Sequence, residues 1–117
     1  MLIGLDTYRV LRELDIPFGA HRVMYWLCEH NYFGNTVKDW TQAEIARDCK
    51  VYRSRVSVML SLLEKHQLIL MRERGHCILN PYLWYRGETR NQQEACDQWN
   101  LLQAKHGNVA QPVAMAL

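Results

Sequence analysis

The chain has no run of about 18 apolar residues, the length a membrane-spanning helix requires, so no membrane partner is expected. Its first residues, MLIGLDTYRVLRELD, become charged at Asp6 and hold no long apolar stretch. No secretory signal is therefore expected, and the expected location is cytoplasmic. There is no Gly-rich phosphate loop, no Gly-x-Ser-x-Gly and no His-Glu-x-x-His. The histidines at 21, 30, 66, 76 and 106 are scattered, and Glu13 with Asp15 reads as helix-end solvation. An enzyme is not expected. None of Cys28, Cys49, Cys77 and Cys96 forms a C-x-x-C pair. Cys28 with His30, and His76 with Cys77, fit no zinc finger or ribbon spacing. The cysteines are expected to be small buried hydrophobes, with no metal and no cofactor. Internal repeats and low-complexity tracts are also missing.

What remains is an ordinary globular composition. The 117 residues, 49% of them hydrophobic, suffice for one core without cross-links. A single domain is expected over residues 1–106, with a disordered tail over 107–117, which holds no charged residue. The net charge of +2 conceals a segregation. Residues 50–76 contain Lys50, Arg53, Arg55, Lys65, Arg72 and Arg74 against Glu64 and Glu73, hence +4, and the remainder sums to −2. A face so charged suits a polyanion.

Periodicity sets out the elements. Residues 5–13 read as a short helix with Leu5, Val10 and Leu11 apolar and Asp6 as N-cap. Asp15-Ile16-Pro17 interrupts it. A second helix is predicted over 18–32, with a stripe of Ala20, Val23, Met24 and Leu27 and further apolar surface from Tyr25 and Trp26. Gly34-Asn35 ends it, and residues 36–38 read as an edge strand. Thr41-Gln42-Ala43-Glu44 matches a capping box, with Trp40 and Ile45 placed as a hydrophobic staple. It opens a short helix over 42–49. A further helix over 53–66 buries Val56, Met59, Leu60 and Leu63. Residues 68–71 and 76–79 flank Arg72-Glu73-Arg74-Gly75 as a hairpin turn. Asn80-Pro81 stops the second strand, and an aromatic connector runs over 82–87. Thr89 is read as the cap of a last helix, with Ala95, Trp99 and Leu102 on one face.

The order of helices followed by a hairpin is that of a winged helix-turn-helix: mainly α with a small β-hairpin and flanking N- and C-terminal helices. In DNA-binding versions the second helix of the pair enters the major groove. Tyr52, Arg53, Ser54, Arg55, Ser57, Val58 and Ser61 are the candidate recognition residues. Arginine pairs bidentately with guanine, and serine bonds to bases or phosphates. Arg55 could equally meet a phosphate, a base or Glu44. Thr41, Gln42 and Lys50 around the first helix, and Arg72, Arg74 and His76 on the hairpin, are the candidate backbone contacts.

Residues 41–69 resemble the helix-turn-helix consensus of many bacterial regulators, through Thr41, Glu44-Ile45-Ala46, Val51, Val56 and Leu63. Three positions depart from it. Lys50 stands where the turn usually has glycine and so faces a positive φ. Tyr52 replaces a Ser/Thr cap, and Gln67 stands where glycine usually precedes the hairpin. Further on, Gly75-His76-Cys77-Ile78-Leu79-Asn80-Pro81-Tyr82-Leu83-Trp84-Tyr85-Arg86-Gly87 resembles the end of the wing in the RepL family of plasmid replication proteins. The resemblance spans about residues 23–87. It implies a plasmid- or phage-associated DNA-binding protein and transfers no catalytic role.

The expected function is sequence-specific binding of double-stranded DNA, regulating transcription or replication of a plasmid or phage element by occupying an operator or origin. The alternatives are an initiator that recruits host machinery and an interaction module without DNA. A homodimer is expected, held by Tyr25, Trp26, Ala95, Trp99 and Leu102. Any small-molecule effector is left open.

Overall fold

The computed structural model describes residues 1–32 and 34–105. Residues 107–117, expected to form a disordered tail, lie outside them. The chain is mainly helical with two small antiparallel sheets. In order it forms β1 (Leu2–Ile3), α1 (Thr7–Glu13), α2 (Phe18–Glu29), β2 (Thr36–Lys38), α3 (Gln42–Cys49), α4 (Arg53–Lys65), β3 (Ile69–Glu73), β4 (His76–Leu79), β5 (Trp84–Tyr85), a 3-10 turn (Thr89–Asn91) and α5 (Gln92–Lys105).

Three helices build the core. The stripe Ala20, Val23, Met24 and Leu27 of α2 is fully buried. It packs with Ile45 of α3 and with Val56, Leu60 and Leu63 of α4. Gly19 lets α2 approach α4, since a Cβ there would come within 2.7 Å of the end of Met59. The sheet β2–β4–β3 closes the other side of this core. Val37 faces Cys77 across one ladder, and Cys77 faces Met71 across the other. As expected, β2 is an edge strand. Leu70, Tyr85, Cys96 and Trp99 are buried without joining the main cluster.

Several local expectations are corrected. Asp6 precedes α1 but makes no cap bond, and its carboxylate pairs with Arg9 at 3.1 Å instead. Leu5 is exposed. α2 stops at Glu29, three residues early, because the chain must turn back into β2. The hairpin turn is shorter than predicted. β3 continues through Arg72 to Glu73, with a bulge between Met71 and Glu73, and leaves Arg74-Gly75 as the tip. Thr89 is not a cap but the first residue of the 3-10 turn, with Glu88 before it. α5 buries Gln92, Cys96, Trp99 and Gln103 rather than an Ala95–Trp99–Leu102 face. Ala95 and Leu102 are half-buried.

These positions also revise the dimer surface. Trp99 is 1% exposed and Trp26 is 7% exposed, both against their own chain. Neither is available to a partner, whereas Tyr25 is exposed. The cysteines pack. Cys77 and Cys96 are fully buried and Cys49 nearly so, and none of the four forms a disulfide among the described residues. Burial pushes the Cys28 and Cys77 thiols up to about 12 and Cys96 to about 11, so they stay protonated.

Candidate nucleic-acid interface

α3 begins where its capping residues dictate. The Thr41 side chain accepts the Glu44 N–H at 3.2 Å, one half of the box. The other half differs: the Glu44 carboxylate takes the Thr41 hydroxyl at 3.2 Å and does not reach back to the backbone. Trp40 and Ile45 are both buried in the main cluster, as a staple requires. Three residues then separate α3 from α4. Lys50 occupies the left-handed region at φ 56°, ψ 46°, the conformation its glycine-like position demands. Gln67 does the same at φ 58° before β3. Tyr52 sits at the cap of α4 without a side-chain bond and is 82% exposed.

α4 presents two faces. Val56, Met59, Leu60 and Leu63 point into the core, and Arg53, Ser54, Arg55, Ser57, Val58 and Ser61 are exposed. Arg55 makes no ion pair among the described residues, and Glu44 is engaged with Thr41, so the suggested Arg55–Glu44 contact does not form.

The hairpin tip is fixed against α3. Gly75 takes φ 74°, and a Cβ there would lie 2.6 Å from the Trp40 carbonyl oxygen. That approach brings three elements to one groove of about 460 Å³. Gln42 lines it from α3 with Thr41 from the cap, Arg53 from α4, and Met71, Arg74 and Gly75 from the hairpin. His76 lines a neighbouring groove with Lys38, Asp39 and Arg74. Arg72 is exposed at the bulge. Lys50 lies apart, in a cleft with Arg22.

Unpaired cations are concentrated in residues 50–76. Arg9, Arg12, Arg47 and Arg90 each pair with a neighbouring carboxylate. Among the described residues, Lys50, Arg53, Arg55, Lys65, Arg72 and Arg74 pair with none. The two acids of that stretch are occupied: Glu64 accepts the Met71 N–H at 2.7 Å, and Glu73 meets His76 at 3.4 Å. The cations thus face solvent uncompensated.

A family model for a Firmicute plasmid replication protein, RepL, matches residues 9–115. The chain belongs to the RepL family. No curated protein and no solved structure matches it. The Asn-Pro run of this RepL chain has a visible structural role. Asn80 is fully buried, donates to the Gln67 carbonyl at 2.8 Å and accepts the Tyr82 N–H at 2.8 Å, which turns the chain out of β4. Among the described residues no helix is long and apolar enough to cross a membrane, and no three side chains group as metal ligands.

Sequence reasoning missed three residues near this face. Lys38 lies opposite His76 in the β2–β4 register. Trp40 lines the groove as well as stapling α3. Arg22 reaches the α3–α4 turn, donating to the Cys49 carbonyl at 3.3 Å. Only Lys38 carried a signal, as a cation on a strand next to the hairpin.

Proposed function

We propose that this RepL protein is a winged helix-turn-helix that binds double-stranded DNA sequence-specifically and occupies a plasmid origin or operator. In this reading α3–turn–α4 is the helix-turn-helix, α4 the recognition helix and β3–β4 the wing. The strand order β2–β4–β3, with β2 lying between two helices in sequence, supports it. So does the convergence of Arg53 from α4 and Arg74 from the hairpin on one groove, with neither guanidinium paired. That convergence carries the proposal. A duplex supplies what the groove is short of: phosphates for Arg74, Thr41 and Gln42, and base edges for Arg53 and the α4 serines. The protein acts by occupation and not by catalysis, in the cytoplasm where its plasmid resides. Family membership favours an origin over a promoter as the main target.

The reading includes a homodimer. The surface that supports it is the N-terminal one, where Met1, Leu2, Ile3, Leu5 and Tyr8 are all exposed. Arg9 and Arg12 there are neutralised by Asp6 and Glu13, so two copies meet without like-charge repulsion.

Footprinting on the plasmid that encodes the protein tests the reading. Protection of repeats within the replication origin is expected. Protection confined to its own promoter would make it a regulator. No protection at low salt would leave only a protein-interaction module.

A further inference from the structure

α2 carries a second exposed face that the duplex reading does not use. Phe18, Arg22 and Tyr25 recur at helical spacing along it, and both rings are largely exposed, at 72% and 56%. The Arg22 guanidinium stands 5.1 Å over the Phe18 ring and also bonds the Cys49 carbonyl. The face therefore abuts the α3–α4 turn. Between them lies a cleft of about 510 Å³ lined by Arg22, Tyr25, Trp26 and Lys50 together with the acids Glu29 and Asp48, and Phe18 stands beside it under the Arg22 guanidinium.

The turn itself breaks two local rules, one at Lys50 in this cleft and one two residues on, at Tyr52. Lys50 is held in a left-handed conformation that glycine would adopt without strain. Tyr52 takes the place of a capping hydroxyl and leaves its ring in solvent. Both departures cost stability, and sites of that kind are where function is expected. What they introduce is a cation and an aromatic ring, the same pair of chemistries that α2 presents. Of the two acids at the cleft, Asp48 is engaged, accepting from Trp26 Nε1 and Arg47, while Glu29 is exposed at its edge with His30 Nδ1 3.8 Å away. Among the described residues Arg22 and Lys50 have no carboxylate partner.

We propose that this cleft binds a single strand of DNA beside the duplex-binding face. Exposed rings stack on the faces of bases, and interleaved cations hold the phosphates. In a duplex those base faces are hidden by their neighbours, so Phe18 and Tyr25 have a use only where bases are unpaired. The cleft takes in Lys50, three residues before Arg53 at the start of α4, which puts it within reach of a strand leaving an opened duplex. The inference goes beyond the duplex reading and is measured separately from it.

The test is anisotropy titration of a labelled oligodeoxythymidylate and of an origin duplex, at low salt, with the full chain and with Phe18→Ala, Tyr25→Ala and Tyr25→Phe. The wild type is expected to bind the oligodeoxythymidylate. Each alanine variant should weaken that binding roughly tenfold while leaving duplex affinity unchanged, and Tyr25→Phe should retain it. Single-strand binding with the same ring dependence but no duplex binding would sink the duplex reading and sustain this one. Failure of the wild type to bind oligodeoxythymidylate overturns the proposal. So does equal weakening of duplex and single strand by the alanine variants, or single-strand binding indifferent to them.

Discussion

Trp26 and Asp48 join two helices through one side-chain bond: the indole Nε1 of α2 donates to Oδ2 at the end of α3 across 2.9 Å. The bond, with help from Arg47, holds the Asp48 carboxyl below its ordinary value. A carboxyl lowered in the folded state stabilises the fold above its unfolded pKa, about 3.9. That contribution fades as pH falls through the lowered value. Between about pH 5 and pH 2 the wild type should therefore lose more stability than Asp48→Asn. Urea midpoints against pH, followed by tryptophan fluorescence, give the comparison. Parallel curves would mean that the bond does not hold the helices.

Two glycines with positive φ separate conformational strain from collision. Gly34, at φ 88°, has no atom near where its Cβ would stand, whereas a Cβ on Gly75 would strike the Trp40 backbone. Gly34→Ala should cost about 1 kcal/mol. Gly75→Ala should cost about 2 kcal/mol or more and should weaken DNA binding as the hairpin tip shifts. Thermal melts of both variants decide it, and equal losses would contradict the contact.

Much of this was written locally in the sequence. Thr41 and Glu44 announced α3, and the helical stripe Val56, Met59, Leu60 and Leu63 placed α4. The position of Lys50 in the consensus required the positive φ it has, and Gln67, also in a usual glycine position, has one too. The hidden parts depend on distant partners. β1 has two residues, and nothing near Leu2 and Ile3 indicates that they pair with Tyr85 and Trp84. Asn35 read as a turn residue. It is also a buried hub that donates to the Leu79 and Trp84 carbonyls at 2.7 and 3.0 Å and accepts the Arg86 N–H at 3.1 Å. Trp99 looked like a partner-seeking residue, because helical spacing shows a side chain's face but not that its own chain buries it to 1% exposure.

Lys50 sets stability against binding. Lys50→Gly relieves the left-handed strain and should stabilise the fold by roughly 1 kcal/mol. It also removes a cation of the cleft shared with Arg22 and should weaken binding of oligodeoxythymidylate. A variant that melts higher and binds as tightly as the wild type would show that Lys50 has no role in binding.

The dimer surface is testable without DNA. Leu5 and Tyr8 are exposed, so Leu5→Glu and Tyr8→Glu leave the core intact. Sedimentation at micromolar protein should give a dimer for the wild type, and each variant should raise the dissociation constant at least tenfold. A wild-type monomer would remove the dimer, and variants that dimerise normally would remove this surface.

The central claim is that α4 reads bases while the hairpin holds the backbone. A salt titration of cognate and random duplexes with Arg53→Ala, Arg72→Ala and Arg74→Ala tests it most directly. Arg53→Ala should cost roughly 1–3 kcal/mol on the cognate site and relax preference at one base pair. Arg72→Ala and Arg74→Ala should weaken both duplexes similarly, each lowering the salt slope by about one unit. Hairpin variants that alter sequence preference, with Arg53→Ala leaving it intact, would contradict the account.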